Sequence, residues 1–72
     1  MSFGRNLHTM RAIRRLTQVR LAKAASATPR IIIDLEADRV LPTPDLEKRL
    51  RKALNWTALE DKAFEILGRE PA

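Results

Sequence analysis

Seventy-two residues, 44% of them hydrophobic and none of them cysteine, suffice for one small core and exclude disulfides, thiolate metal sites and cysteine nucleophiles. The formal net charge of +5 is unevenly spread: residues 1–33 carry seven cations and no acid, a net of +7, whereas residues 34–72 carry seven cations against nine acids, a net of −2. Such a split suits an N-terminal half turned toward a polyanion; the plainer alternative is a basic surface that only keeps the chain in solution.

Along the chain, Phe3, Leu7 and Met10 recur at helical spacing and predict a first helix over residues 6–15, with Arg14 and Arg15 in its last turn, where cations suit the carboxyl end. Thr17 is an N-cap for a second helix whose inner face is Leu21, Ala22 and Ala25. Ser26-Ala27 makes a turn, and Thr28-Pro29 starts a third helix with a capping hydroxyl and a proline at the first helical position. This helix runs to Glu36, with Ile32, Leu35 and Glu36 on one side. The triplet Ile31-Ile32-Ile33 has a rival reading as a strand, since β-branched residues favour strands. The flanking Thr-Pro and Leu-Glu-Ala are helix signals, however, and no partner strand is visible.

Residues 37–42 read as a loop. Thr43-Pro44 repeats the cap-plus-proline start, and Leu46, Leu50, Ala53 and Leu54 form the apolar stripe of a fourth helix that ends at Asn55. Thr57-Ala58-Leu59-Glu60 has the form of a capping box, with Trp56 placed before it to pack on the new helix. This fifth helix ends near Leu67, with Gly68 just past it and residues 69–72 as a frayed tail. The predicted fold is all-α, a single domain of five helices over residues 1–72.

The second and third helices are joined by only two or three residues. Ala22 lets them approach, and Leu21, Ile32 and Leu35 fill the space beneath, which is the arrangement of a helix-turn-helix over residues 17–36. The run Leu16-Thr17-Gln18-x-x-Leu21-Ala22, then Thr28 capping a helix with Ile32, Leu35 and Glu36, then Pro42-Thr43 before a leucine-rich helix, resembles the lambda-repressor-like, or Xre/Cro, helix-turn-helix family. The resemblance covers residues 7–54 and, weakly, the fifth helix. It implies a five-helix domain and a DNA-binding transcriptional regulator of bacterial, phage or mobile-element type, most simply a repressor, that forms homodimers on palindromic double-stranded DNA. It also implies a DNA-facing set of Thr17, Gln18, Thr28, Pro29, Arg30, Ile33, Asp34 and Arg39, in which Gln18 touches the backbone and braces the recognition helix. Arg11 and Glu36 match an ion pair between the first and third helices; the alternative is two unrelated surface charges.

Helical geometry bears separately on the third helix. With Ile32 and Leu35/Glu36 inward, Arg30, Asp34 and Ala37 point outward and Ile31 and Ile33 lie on the flanks. Arg30 is the one outward side chain there able to donate a bidentate pair to guanine. Asp34, four residues on, orients Arg30 or accepts from cytosine, unless the two are an ordinary surface ion pair. Three departures from the family pattern stand out: Ser26 where glycine is common, Ala37-Asp38 where Asn-Gly is common, and three isoleucines on the recognition helix. Isoleucine reads only a thymine methyl, so base readout is expected to be sparse and to lean on Arg30 and DNA shape.

Catalysis is not expected. No nucleophile–base set is present, the acids at Asp45/Glu47 and Glu60/Asp61 suit helix starts, and glycines only at 4 and 68 build no phosphate loop. No cofactor, small-molecule substrate or metal is expected, and His8 alone builds no metal site. No apolar run reaches the length of a membrane span and MSFGRN lacks a secretory signal's apolar stretch, so the expected location is cytoplasmic, at the nucleoid. The rival function is a protein-interaction module on the same fold, antitoxin-like or an anti-regulator, with a protein partner in place of DNA. Over residues 57–67 the fifth helix presents Leu59, Ala63, Phe64, Ile66 and Leu67 beside Trp56, more apolar surface than docking one helix requires, and these residues are the expected dimer interface; the alternative is that the whole stripe closes the core of the single chain.

Overall fold

Ser2, Thr17, Thr28 and Thr43 each stand in extended conformation just before a helix, and each hydroxyl accepts from the amide three residues on, at 3.1, 3.1, 3.3 and 3.2 Å. These caps satisfy amides that a helix start leaves without partners. In the computed structural model, which describes residues 2–68, they open α1 (Phe3–Ile13), α2 (Gln18–Ala24), α3 (Pro29–Glu36) and α4 (Pro44–Leu54). The fifth helix, α5 (Ala58–Gly68), starts after Thr57, whose amide donates to Glu60 Oε1 at 3.1 Å. The Thr57 hydroxyl accepts from the Leu59 amide at 3.3 Å, so the capping box closes one residue short on that side. Among the described residues all regular structure is helical, and Ile31-Ile32-Ile33 lies within α3.

Two helix limits differ from expectation. α1 begins earlier and ends earlier than residues 6–15, because Ser2 caps it and Arg15 leaves helical space with φ 57°. Gly68 is the last residue of α5 rather than the one beyond it, and the tail expected to fray, residues 69–72, lies outside the described residues.

The first four helices end alike. Arg15, Ser26, Asp38 and Asn55 take left-handed φ of 57°, 54°, 59° and 50°, and the next residue's amide reaches back to Arg11, Ala22, Asp34 and Arg51 carbonyls at 2.8–3.0 Å. This is the Schellman ending, usually made with glycine at the left-handed position. A side chain there costs about 1 kcal/mol or more, least for asparagine. The repetition turns the chain sharply after each of these four helices, and Ser26 does so between α2 and α3.

One core joins the helices: Leu7 and Met10 of α1, Leu21, Ala22 and Ala25 of α2, Ile32 and Leu35 of α3, Leu50 and Leu54 of α4, then Trp56 and Phe64. Phe3, Leu16, Ile31, Leu46 and Ala53 pack on its margin. Gly4 is needed at the α1–α3 crossing, where a Cβ would run into the Leu35 carbonyl. Trp56 attaches α5: it stacks on Phe3 at 5.5 Å, meets Phe64 edge-on at 5.8 Å, and its Nε1 donates to Asp61 at 2.9 Å. Arg51 covers its ring at 4.6 Å while holding Glu47 and Asp61.

Candidate nucleic-acid interface

The α2–α3 pair is held rigidly at its turn and at its base. At the turn, Arg49 of α4 donates to the carbonyls of Ala25 and Ser26 at 3.2 and 2.9 Å, satisfying groups that the end of α2 leaves open. At the base lies the Glu36 carboxylate. Arg11 donates to it through Nε at 2.7 Å and Nη2 at 3.1 Å, Gln18 Nε2 donates at 3.2 Å, and His8 Nδ1 stands 3.3 Å away. Arg11 also donates to the Leu16 carbonyl at 3.0 Å. One side chain thereby ties α1, the α1–α2 link and α3, and Gln18 ties α2 to the same acid. Burial pushes the Glu36 carboxyl upward, but the hydrogen bonds from Arg11, His8 and Gln18 outweigh it and hold the group below its ordinary value.

The outer side of this unit mixes polar and basic residues with exposed Val19 and Ile33. Thr17, Thr28, Pro29 and Arg30 are exposed at the starts of α2 and α3, their threonine hydroxyls already committed to capping. On α3, Ile33 is exposed while Ile31 packs on the core margin, so the two flanking isoleucines part company. Asp34 lies between two cations: Arg39 Nε and Nη2 both lie 2.9 Å from its Oδ1, and Arg30 Nε lies 3.4 Å from Oδ2. The hydrogen bond from Arg39, with Arg30 adding to it, keeps the Asp34 carboxyl below its usual range.

The basic half is less available than its formal charge. Arg11 is spent on Glu36, and Arg14 donates to the Leu54 and Asn55 carbonyls at 2.8 and 3.3 Å, closing the end of α4. Arg5, Arg15, Arg20 and Lys23 are exposed, with no acid among the described residues bound to them. The acids near this face are, by contrast, occupied within the chain. Asp38, in the loop after α3, accepts the Gly4 amide at 3.2 Å and caps the start of α1. Nothing in residue spacing marks that contact, because it joins positions 34 apart.

The residues of the expected dimer interface divide by exposure. Trp56 and Phe64 are 5% and 7% exposed within the single chain and belong to its core. Leu59, Ala63, Ile66 and Leu67 remain outside, and their spacing of i, i+4, i+7 and i+8 makes one apolar stripe along α5.

Among the described residues no helix is long and apolar enough to cross a membrane, and no cluster of three or more His, Asp or Glu side chains is placed to hold a metal ion. Among the described residues the fold is all-α, with five helices. Compared with protein-family models, with curated proteins and with solved structures, the chain finds no match.

Proposed function

We propose that the chain is a double-stranded DNA-binding transcriptional regulator of the helix-turn-helix kind, with α3 as the helix that enters the major groove. The observation that carries this reading is the charge accounting around the α2–α3 pair: Arg15, Arg20 and Lys23 have no acid partner among the described residues, while Asp34, Glu36 and Asp38 are each engaged by groups of the chain itself. The Gln18–Glu36–Arg11 brace supports it further, since a helix that docks on DNA must be held at a fixed attitude. The resemblance to the lambda-repressor-like family rests on the same residues.

A homodimer joined along α5 belongs to this reading. Leu59, Ile66 and Leu67 are 76%, 60% and 59% exposed, and two such stripes packed about a two-fold axis cover each other away from the basic face. A protein-interaction module is the second reading, favoured by Leu41 at 83% exposure and by exposed Val19, Ile33 and Val40.

Titration of a random-sequence duplex at low salt separates the two. Each phosphate neutralised contributes about −0.9 to the slope of log K against log salt, so Arg5, Arg15, Arg20 and Lys23 together give about −3.6 per protomer. A slope near zero, or no binding at low salt, removes the DNA reading and leaves the protein partner.

A further inference from the structure

We propose that Asp34 is a positioning residue for Arg39, and that Arg39, rather than Arg30, is the guanidinium on which sequence preference rests. The inference deepens the DNA-binding reading and depends on it.

Two arginines flank Asp34 and they are held very differently. Arg30 is four residues earlier on α3, is 79% exposed, and touches Asp34 through a single 3.4 Å contact. Arg39 is fixed twice. Its amide donates to the Asp34 carbonyl at 2.9 Å as part of the Schellman ending of α3, and its Nε donates to Asp34 Oδ1, also at 2.9 Å, with Nη2 equally close. Backbone and guanidinium are thus referenced to one residue of the outward helix face. A guanidinium has five donors in a planar fork, and this arrangement turns one edge toward Asp34 and leaves the Nη edge for an outside acceptor.

That free edge has the geometry to donate two parallel hydrogen bonds to O6 and N7 of guanine. Because the side chain is already held, little conformational freedom remains to be lost when it binds. Arg30 has no such restraint; a long, exposed, loosely paired side chain suits a phosphate, where direction matters less. Asp34 does not itself repel the duplex in this arrangement, since its charge is balanced by Arg39 at hydrogen-bonding distance.

The test uses the full chain and a duplex selected from a randomised pool, with affinity for that duplex compared with a scrambled one. Arg39→Ala and Arg39→Lys are both expected to lower the preferred-to-scrambled ratio roughly ten- to a hundred-fold, because lysine keeps the charge but not the fork. Asp34→Ala should lower the ratio as well while leaving scrambled binding equal or tighter. Asp34→Ala combined with Arg39→Ala should be no worse than Arg39→Ala alone, whereas an Asp34 that reads cytosine directly makes the two losses multiply. Arg30→Ala should weaken both duplexes alike. Unchanged selectivity in Asp34→Ala, multiplied losses in the double variant, or loss of selectivity in Arg30→Ala alone overturns the assignment while leaving DNA binding in place. Wild type that binds no duplex overturns both. Arg30 and Arg39 are exposed and Asp34 is partly so, and an unaltered thermal midpoint in each variant separates these effects from misfolding.

Discussion

Arg11→Ala takes away a guanidinium that is 16% exposed and leaves Glu36, 8% exposed, with only His8 and Gln18 beside it. Stripping the partner from a fully buried charge costs about 3–5 kcal/mol. Glu36 retains two polar neighbours and Arg11 is not wholly enclosed, so the expected loss is about 2–3 kcal/mol. Urea unfolding followed by Trp56 fluorescence measures it, because this single tryptophan is buried between Phe3 and Phe64 and its surroundings vanish on unfolding. With a slope of about 1 kcal/mol per molar urea for a chain of this size, the midpoint should fall by about 2–3 M. Glu36→Gln, which keeps the shape and one acceptor, should lose less. A drop below about 0.5 M for Arg11→Ala would show the pair to be a solvated surface contact and the brace of α3 to lie elsewhere.

Acid should reveal the same carboxylate. The folded value of Glu36 lies below the ordinary 4.5, so its contribution is complete above that value and is lost as pH falls through the lower folded one. Wild type should therefore lose stability below about pH 4.5 more steeply than Glu36→Gln, and equal acid profiles would contradict the assignment. Gly4→Ala should destabilise by about 2 kcal/mol or more in thermal unfolding, since the added Cβ meets the Leu35 carbonyl and the Asp38 carboxylate; a neutral result would mean α1 approaches α3 less closely. Ser26→Gly should stabilise by up to about 1 kcal/mol by relieving the left-handed φ of 54°, a gain that Ser26→Val cannot give. Along α5, Ile66→Glu should leave unfolding unchanged yet convert a dimer to monomer in sedimentation, whereas Phe64→Glu should unfold the chain; a wild type that sediments as a monomer, free and on a palindromic duplex, removes the dimer.

Local chemistry decided where helices begin. A hydroxyl in extended conformation followed by proline or a helix former is a complete instruction, because the capping bond spans three residues and needs no distant partner. Thr17, Thr28, Thr43 and Thr57 were therefore legible from residue order, and so was the inner face of each helix from its spacing. Apolar spacing misplaces the start of α1: Leu7 and Met10 draw the boundary inward to residue 6, whereas Ser2 caps the helix. Helix ends were harder: glycine advertises a left-handed residue, whereas Arg15, Ser26 and Asp38 adopt that conformation only because the packed core fixes the direction of the chain on either side.

Tertiary structure alone decided how the charges are used. A formal net of +7 over residues 1–33 is a property of order-independent counting, but whether a guanidinium faces water depends on which carbonyls and carboxylates fold against it. Arg14 closes the end of α4 across 40 positions, and Asp38 caps α1 across 34, contacts that no periodicity encodes. The same holds for Trp56 and Phe64. Their apolar character was visible in the sequence, but the choice between core and interface depends on how much volume the other helices leave unfilled. With Leu50, Leu54 and Phe3 placed as they are, both aromatic rings fall inside, while Leu59, Ala63, Ile66 and Leu67 of the same segment stay exposed.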